Sequence, residues 1–145
     1  MRVYAILALT LLLSACPTTK PPKPHVVPDG NEQWQNLGVS PNGNILNELD
    51  KLSIKRSGSI VTFRDKKTVF DYKKEAQLSS TPPHRYSLNT WQIDCSRNTF
   101  QLKAMELYDA NDRLVASYKY TDQQVKPMPI TPDSASFQQK QVVCR

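Results

Sequence analysis

The chain is poor in glycine and histidine, with four and two of them in 145 residues. It has no Gly-x-Ser-x-Gly elbow and no His-Glu-x-x-His pair, which excludes the common serine-hydrolase and zinc-protease constellations. His25 lies in a proline-rich stretch and His84 beside Pro82-Pro83. No carboxylates gather around either, so neither a metal site nor a cofactor is expected. Asp109-x-Asn111-Asp112 resembles the start of a calcium loop but lacks the glycine and the closing glutamate, which leaves a plain turn. There is no internal repeat. An enzyme is therefore not expected, and a binding or structural role is.

What is present bounds the rest. The length allows one folded domain. Hydrophobic residues make up 39% and charged ones 22%, enough for a modest core. The formal charge of +6 favours anionic partners such as nucleic acid, lipopolysaccharide, anionic lipid or sulfated glycans. Eleven prolines are clustered rather than spread.

Arg2 followed by the uncharged apolar run Val3 to Leu13 reads as a signal peptide over 1–15. The run is too short for a bilayer-spanning helix, which takes about 20 residues. Leu13-Ser14-Ala15-Cys16 then matches the lipobox of bacterial lipoproteins. Small residues admit the peptidase, and the Cys16 thiol accepts the lipid. The competing reading is an ordinary secretory signal, disfavoured by the position of Cys16. Several acyl chains (palmitate among them), at about 0.8 kcal/mol per buried CH₂, make a lasting membrane anchor. Pro17 stands where an aspartate would signal inner-membrane retention, so the outer membrane is expected. Export also argues against nucleic acid as a partner. Residues 16–32 form a lipidated proline-rich tether (Pro17, Pro21, Pro22, Pro24, Pro28) too polar for a core. At ~3.1 Å per residue, about 15 residues reach roughly 45 Å.

Assigning Cys16 to the lipid leaves Cys95 and Cys144 as one pair. Their 48 intervening residues favour a structural disulfide over a redox couple and place the domain in an oxidising compartment. Trp91, Ile93 and Cys95 recur at period two, so they share one face of a strand spanning Tyr86–Cys95.

The domain itself, 33–145, reads as a run of strands. Gln33 to Val39 is the first, ended by the turn Pro41-Asn42-Gly43-Asn44. Ile45 to Leu49 is ambiguous between strand and helix; a strand with a kink near Asp50 is favoured, continuing through Leu52 to Arg56. Ser57-Gly58 makes a hairpin turn into Ser59–Phe63, which also explains Arg56-Ser57-Gly58-Ser59 better than a catalytic serine does. Asp65-Lys66-Lys67 is expected to turn the chain, with Thr68–Tyr72 as the next strand and Lys73–His84 as loop. Thr99–Tyr108 changes hydrophobic phase midway, which signals a β-bulge or two-sided cover. Leu114–Tyr120 alternates cleanly, and Asp122–Ile130 is loop. Thr131-Pro132-Asp133 suits a helix start with Thr131 as N-cap. The helix runs to about Val143 on a thin apolar stripe of Ala135, Phe137, Val142 and Val143. The fold class expected is α+β, an antiparallel meandering sheet of about six strands with one C-terminal helix tied to it by the disulfide.

Lys55, Arg56, Arg64, Lys66, Lys67, Lys73 and Lys74 fall within twenty positions. On paired strands they make a candidate positive patch for an acidic partner or anionic glycan. The plainer reading is a solvated face with protective edge lysines.

Trp34, the Asp50-Lys51-Leu52-Ser53-Ile54 strand with Gly58 and Val61, Ile93-Asp94-Cys95, Tyr108, Thr131-Pro132-Asp133-Ser134 and Val142-Val143-Cys144 occur in an order that resembles the surface-adhesin protein E family of Gram-negative lipoproteins. The resemblance runs from about Gln33 to Cys144. It implies an antiparallel sheet with a disulfide-tethered C-terminal helix. It also implies an adhesin for host extracellular-matrix or serum proteins such as vitronectin, laminin and plasminogen. The family also holds lipoproteins without a known role, so a periplasm-facing structural or assembly lipoprotein is the alternative.

Overall fold

The computed structural model describes residues 32–78 and 80–145. The signal peptide, nearly all of the tether, and with them Cys16 and His25, lie outside the described residues. Six strands follow in chain order: β1 (Trp34–Val39), β2 (Ile45–Ser57), β3 (Ile60–Val69), β4 (Tyr86–Asp94), β5 (Thr99–Tyr108) and β6 (Leu114–Lys119). Each pairs antiparallel with the next, so the sheet is a plain meander in the order β1-β2-β3-β4-β5-β6. A two-residue strand, β7 (Met128–Pro129), covers the free start of β5. Helix α1 (Tyr72–Leu78) links β3 to β4, and α2 (Ala135–Val143) closes the chain.

One face of the sheet carries the core. On β3 the odd positions Val61, Phe63, Asp65 and Val69 are buried, the period-two signature of a strand with one covered side. Their partners on β4 include Ile93 and Trp91, as the register Val61↔Ile93 and Phe63↔Trp91 requires. Leu49, Val61, Phe63, Ile93, Ile130 and Val143 form the buried cluster, with Cys95, Cys144, Trp91 and Phe137 packed against it. Among the described residues, the sheet, this core and the disulfide all lie between residues 34 and 145.

The kink near Asp50 is a wide bulge. Asp50 pairs with Arg64 and Lys55 with Thr62, so four residues of β2 oppose Phe63 alone. The bulge is stitched by its own polar groups. The Asp50 carboxylate accepts from the Gln33 and Leu52 amides at 3.2 and 3.1 Å, and from Arg64 at 2.8 Å. The Ser53 hydroxyl donates to the Asp50 carbonyl at 2.7 Å and accepts from the Arg64 amide at 2.8 Å. Ile45–Leu49 is strand. The phase change in β5 is likewise a bulge: Thr90 pairs with Ala104 but Trp91 with Leu102, which leaves Lys103 over.

Three local expectations are corrected. Asp65-Lys66-Lys67 does not turn the chain; β3 runs straight through it to Val69. Asp65 is fully buried, accepting from Asn89 Nδ2 at 2.7 Å and Gln139 Nε2 at 2.6 Å, while Lys66 and Lys67 lie over the Trp34 and Trp91 rings on opposite faces. Lys73–His84 is not all loop, because the Asp71 carboxylate caps α1 by accepting from the Lys73 and Lys74 amides at 3.0 and 3.1 Å. Helix α2 starts later than Thr131. Asp133 sits at φ +61°, outside helical geometry, and Ser134 is the N-cap, accepting from the Phe137 amide. Its buried residues are Ser136, Gln139 and Val143 rather than an apolar stripe.

The Cys95–Cys144 disulfide, with Cα atoms 5.8 Å apart, anchors the end of α2 to the end of β4. The Arg56 guanidinium reinforces it, donating to the Val143 and Arg145 carbonyls at 2.6 and 2.9 Å. These bonds satisfy part of the helix C-terminus, whose last carbonyls lack intrahelical partners.

Candidate binding surface

The face away from α2 is open. Strand alternation and register place Thr62, Arg64, Lys66 and Thr68 of β3 there, beside Tyr86, Leu88, Thr90 and Gln92 of β4. Shallow grooves mark it. One of about 460 Å³ lies over the bulge between Leu52, Lys55, Thr62, Arg64 and Thr90. Another of about 260 Å³ runs from Arg64 across Thr90 to Ser117 and Lys119. A third of about 290 Å³ is bounded by Trp34, Lys66, Tyr86, Arg85 and Asp112. Arg64 stands between the first two.

Two of the cations on this face are matched by acids, whereas Lys55, opposite Thr62, and Lys119 stand exposed on it. Arg64 meets Asp50 at 2.8 Å and Glu32 at 3.1 Å, and Lys66 meets Glu48 at 3.3 Å. Partial burial works to lower the Arg64 pKa, but the bonds and charges of Asp50 and Glu32 outweigh it and raise it. The centre of the face, with its closed ion pairs and threonine hydroxyls, presents hydrogen-bonding groups more than net charge. At its upper edge Tyr86 and Tyr108 stack with ring centroids 5.0 Å apart. Tyr86 donates to Asp112 at 3.0 Å and Tyr108 to Glu106 at 2.8 Å. Burial, then the Asp112 contact, pushes the Tyr86 phenol up to about 12, and burial with Glu106 raises Tyr108 as well. Both rings stay neutral at physiological pH.

The seven cations singled out in the sequence are divided. Arg64 and Lys66 are on the open face, and Lys67 is on the helix-covered face beside Trp91. Lys73 and Lys74 are exposed on α1, with Lys74 donating to the Asn42 carbonyl at 3.3 Å. Lys55 and Arg56 sit at the opposite end, by the disulfide, where the fold adds Arg97, Lys140 and Arg145. Those three fall within four positions of a cysteine, which was the sequence signal for them.

Under the helix lies a buried polar network. Asp65 joins Asn89 and Gln139, and Asn89 also donates to Ser87 at 3.1 Å. The Trp91 indole N–H is near enough to favour the charged form of Asp65 but falls outside hydrogen-bond geometry with any partner. Burial dominates and raises the Asp65 pKa, against Lys67 and these donors. Among the described residues no group of three His, Cys, Asp or Glu side chains is placed to hold a metal ion. His84 is engaged by the Pro82 carbonyl at 2.8 Å.

A meandering sheet with one face sealed by a disulfide-locked helix and the other open defines a binding scaffold. The family model described as surface-adhesin protein E matches residues 34–145, and the chain belongs to that family. Two solved structures are similar to it, both of protein E from Haemophilus influenzae. Crystal form II shares 16% identity over 75% of this chain and 86% of that one, with a TM-score of 0.47. The structure from a non-typeable strain shares 16% identity over 75% of this chain and 74% of that one, with a TM-score of 0.46. No curated protein matches the chain.

Proposed function

We propose that this protein is an adhesin-like binding module of the bacterial envelope, held at the outer membrane by lipid on Cys16 and set off from it by the tether 17–32. Its task is binding rather than catalysis, and its partner is a host extracellular-matrix or serum protein. The family match over 34–145 carries this reading. The open face supports it, since Arg64, Thr62, Thr90 and Leu88 give it both hydrogen-bonding and apolar contacts. Because Arg64 and Lys66 at its centre are paired with acids, a folded protein surface suits this face better than a polyanionic glycan.

The domain 33–145, oxidised and monodisperse, would be passed over immobilised vitronectin, laminin and plasminogen. Saturable binding that weakens in Thr62→Glu and Thr90→Glu is expected; no binding at low salt to any of them removes the adhesin reading. Labelled palmitate incorporation that is lost in Cys16→Ser tests the anchor separately. Protease shaving of intact cells is expected to cut the domain; protection would move it to the periplasm-facing assembly role.

A further inference from the structure

The charge of the folded domain is concentrated at one end. At the end remote from α1, register places Arg56 opposite Val61, Val61 opposite Ile93, and Ile93 opposite Phe100, which pairs with Met128 of β7. The disulfide brings the end of α2 to the same place. Lys140 donates to the Asn98 side chain at 2.6 Å, and Arg56 reaches the Arg145 carbonyl. Lys55, Arg56, Arg97, Lys140 and Arg145 therefore ring this end, joined by Lys126, which lies between Val125, held by Gln101, and Met128 of β7; all but Lys140 are exposed. The acidic side chains near them are Asp94, paired with Arg97, and Asp133; Asp122 is matched by Lys103. At the opposite end Lys73, Lys74, Arg85 and Arg113 face an equal number of acids: Asp71, Glu75, Asp109 and Asp112.

We propose that the disulfide end is a docking surface for an anionic phospholipid membrane. Several cations around one blunt end are drawn to a negative lipid surface with about 1 kcal/mol each. Two exposed apolar side chains flank them, Leu52 (62% exposed) beside Lys55 and Met128 (40%) at β7. Apolar side chains beside basic ones suit the headgroup layer, where the former enter and the latter meet phosphate. A soluble polyanion would leave Leu52 and Met128 in water. The geometry also permits the approach. The chain enters the domain at Trp34, opposite Asp50, and the seven residues from there to Ser57 span at most ~23 Å of strand. The sixteen residues 17–32, extended, reach about 50 Å. The proposal rests on the envelope reading above only for where the lipid is met. Docked in this way, the domain would hold its opposite end, with α1, away from the membrane.

The test uses the oxidised 33–145 domain, without any anchor, sedimented with phosphatidylcholine vesicles with and without phosphatidylglycerol. Lys55→Glu/Arg97→Glu/Arg145→Glu is compared with Lys73→Glu/Lys74→Glu/Arg113→Glu, which makes the same change in net charge. Arg56 and Lys140 are left alone because they hold α2, and melting curves check that both variants fold. Binding that requires phosphatidylglycerol is expected, with the first variant weakened by at least about a hundredfold, about fivefold per cation removed before the added repulsion of the glutamates. The second is expected to stay close to wild type. Equal loss in both variants, or no preference for phosphatidylglycerol at low salt, overturns the proposal. So does heparin binding through the same three residues without vesicle binding, which assigns the end to a glycan. Host-protein binding is a separate readout, so failure of one reading leaves the other visible.

Discussion

The buried carboxylate of Asp65 offers the sharpest test of how this fold is held. It sits at 0% exposure in the middle of β3, accepting from Asn89 and from Gln139, a residue 74 positions away on α2. Truncation to Ala leaves two amide donors facing the site. Asn89 keeps its bond to Ser87, whereas the Gln139 amide donates to no other group among the described residues, so its share of the loss is the larger. A buried orphaned donor costs ~1–3 kcal/mol. Removing the buried charge returns some of that, which puts Asp65→Ala at about 3 kcal/mol of lost stability. For a domain of this size that is roughly 10–15 °C in melting temperature. Gln139→Ala should cost about 2 kcal/mol, since it removes a bond to a charged group. The double mutant should fall short of the sum by about 1–2 kcal/mol, because the two residues share one bond. The pH dependence has a definite sign. Burial raises the Asp65 pKa in the folded state above its unfolded value, so the native protein binds the proton more tightly. Its stabilising contribution is full below the unfolded pKa of about 3.9 and is lost as pH rises through the folded value. Asp94, Asp109 and Asp122 are lowered instead, by hydrogen bonds first from Ser96, Arg113 and Lys103 respectively. Their contribution is present above about 3.9 and is lost as pH falls, so the two effects occupy different windows. Urea melts of wild type and Asp65→Asn from about pH 2 upward are the assay. Asp65→Asn should flatten the upper window and leave the lower one. A wild-type slope retained in Asp65→Asn, or strict additivity in the double mutant, would refute the network.

Other expectations follow from single contacts. Cys95→Ser or Cys144→Ser should cost about 4 kcal/mol in the chain-entropy account of a 49-residue separation. Amide exchange should localise the loosening to α2, and unchanged melting in both variants would deny the bond its role. Gly58 holds φ +59° in the β2–β3 turn, so Gly58→Ala should lose about 1–2 kcal/mol by chemical denaturation. Loss of the same size in Ser59→Ala would point away from backbone strain. The Tyr86 phenol should ionise only near pH 12 in an ultraviolet titration. Because it is raised, its contribution to stability is lost as pH climbs through that value, and Asp112→Asn should bring the titration down.

The surface-adhesin protein E domain was readable where its signals are local. The β-branched and aromatic composition of Ser59–Phe63 and the period-two recurrence of Trp91, Ile93 and Cys95 marked strands, and the turn residues around Gly43 and Gly58 marked their ends. The phase change in β5 marked its bulge. Asp65-Lys66-Lys67 looked like a turn because three consecutive charges are costly in a strand unless something distant satisfies them. Here Gln139, Asn89 and the rings of two tryptophans do so. Helix α2 was placed by its sequence, but its buried face was not. A glutamine turns inward only when a carboxylate waits there, and no short window contains both.

The binding surface divides in the same way. Residue order alone marked most of the strands as a meander and showed that Cys95 meets Cys144, because periodicity and cysteine counting need no coordinates, but it split β3 in two and missed β7. Grouping of charge was decided only by tertiary structure. Side chains alternate across a sheet, so Lys66 and Lys67, adjacent in the chain, part to opposite faces. The disulfide meanwhile gathers Arg56, Arg97 and Arg145, far apart in the chain, at one end. Register and one covalent cross-link turned a run of basic residues into ion pairs at Arg64 and Lys66 on an open face and a net positive cluster beside Cys144.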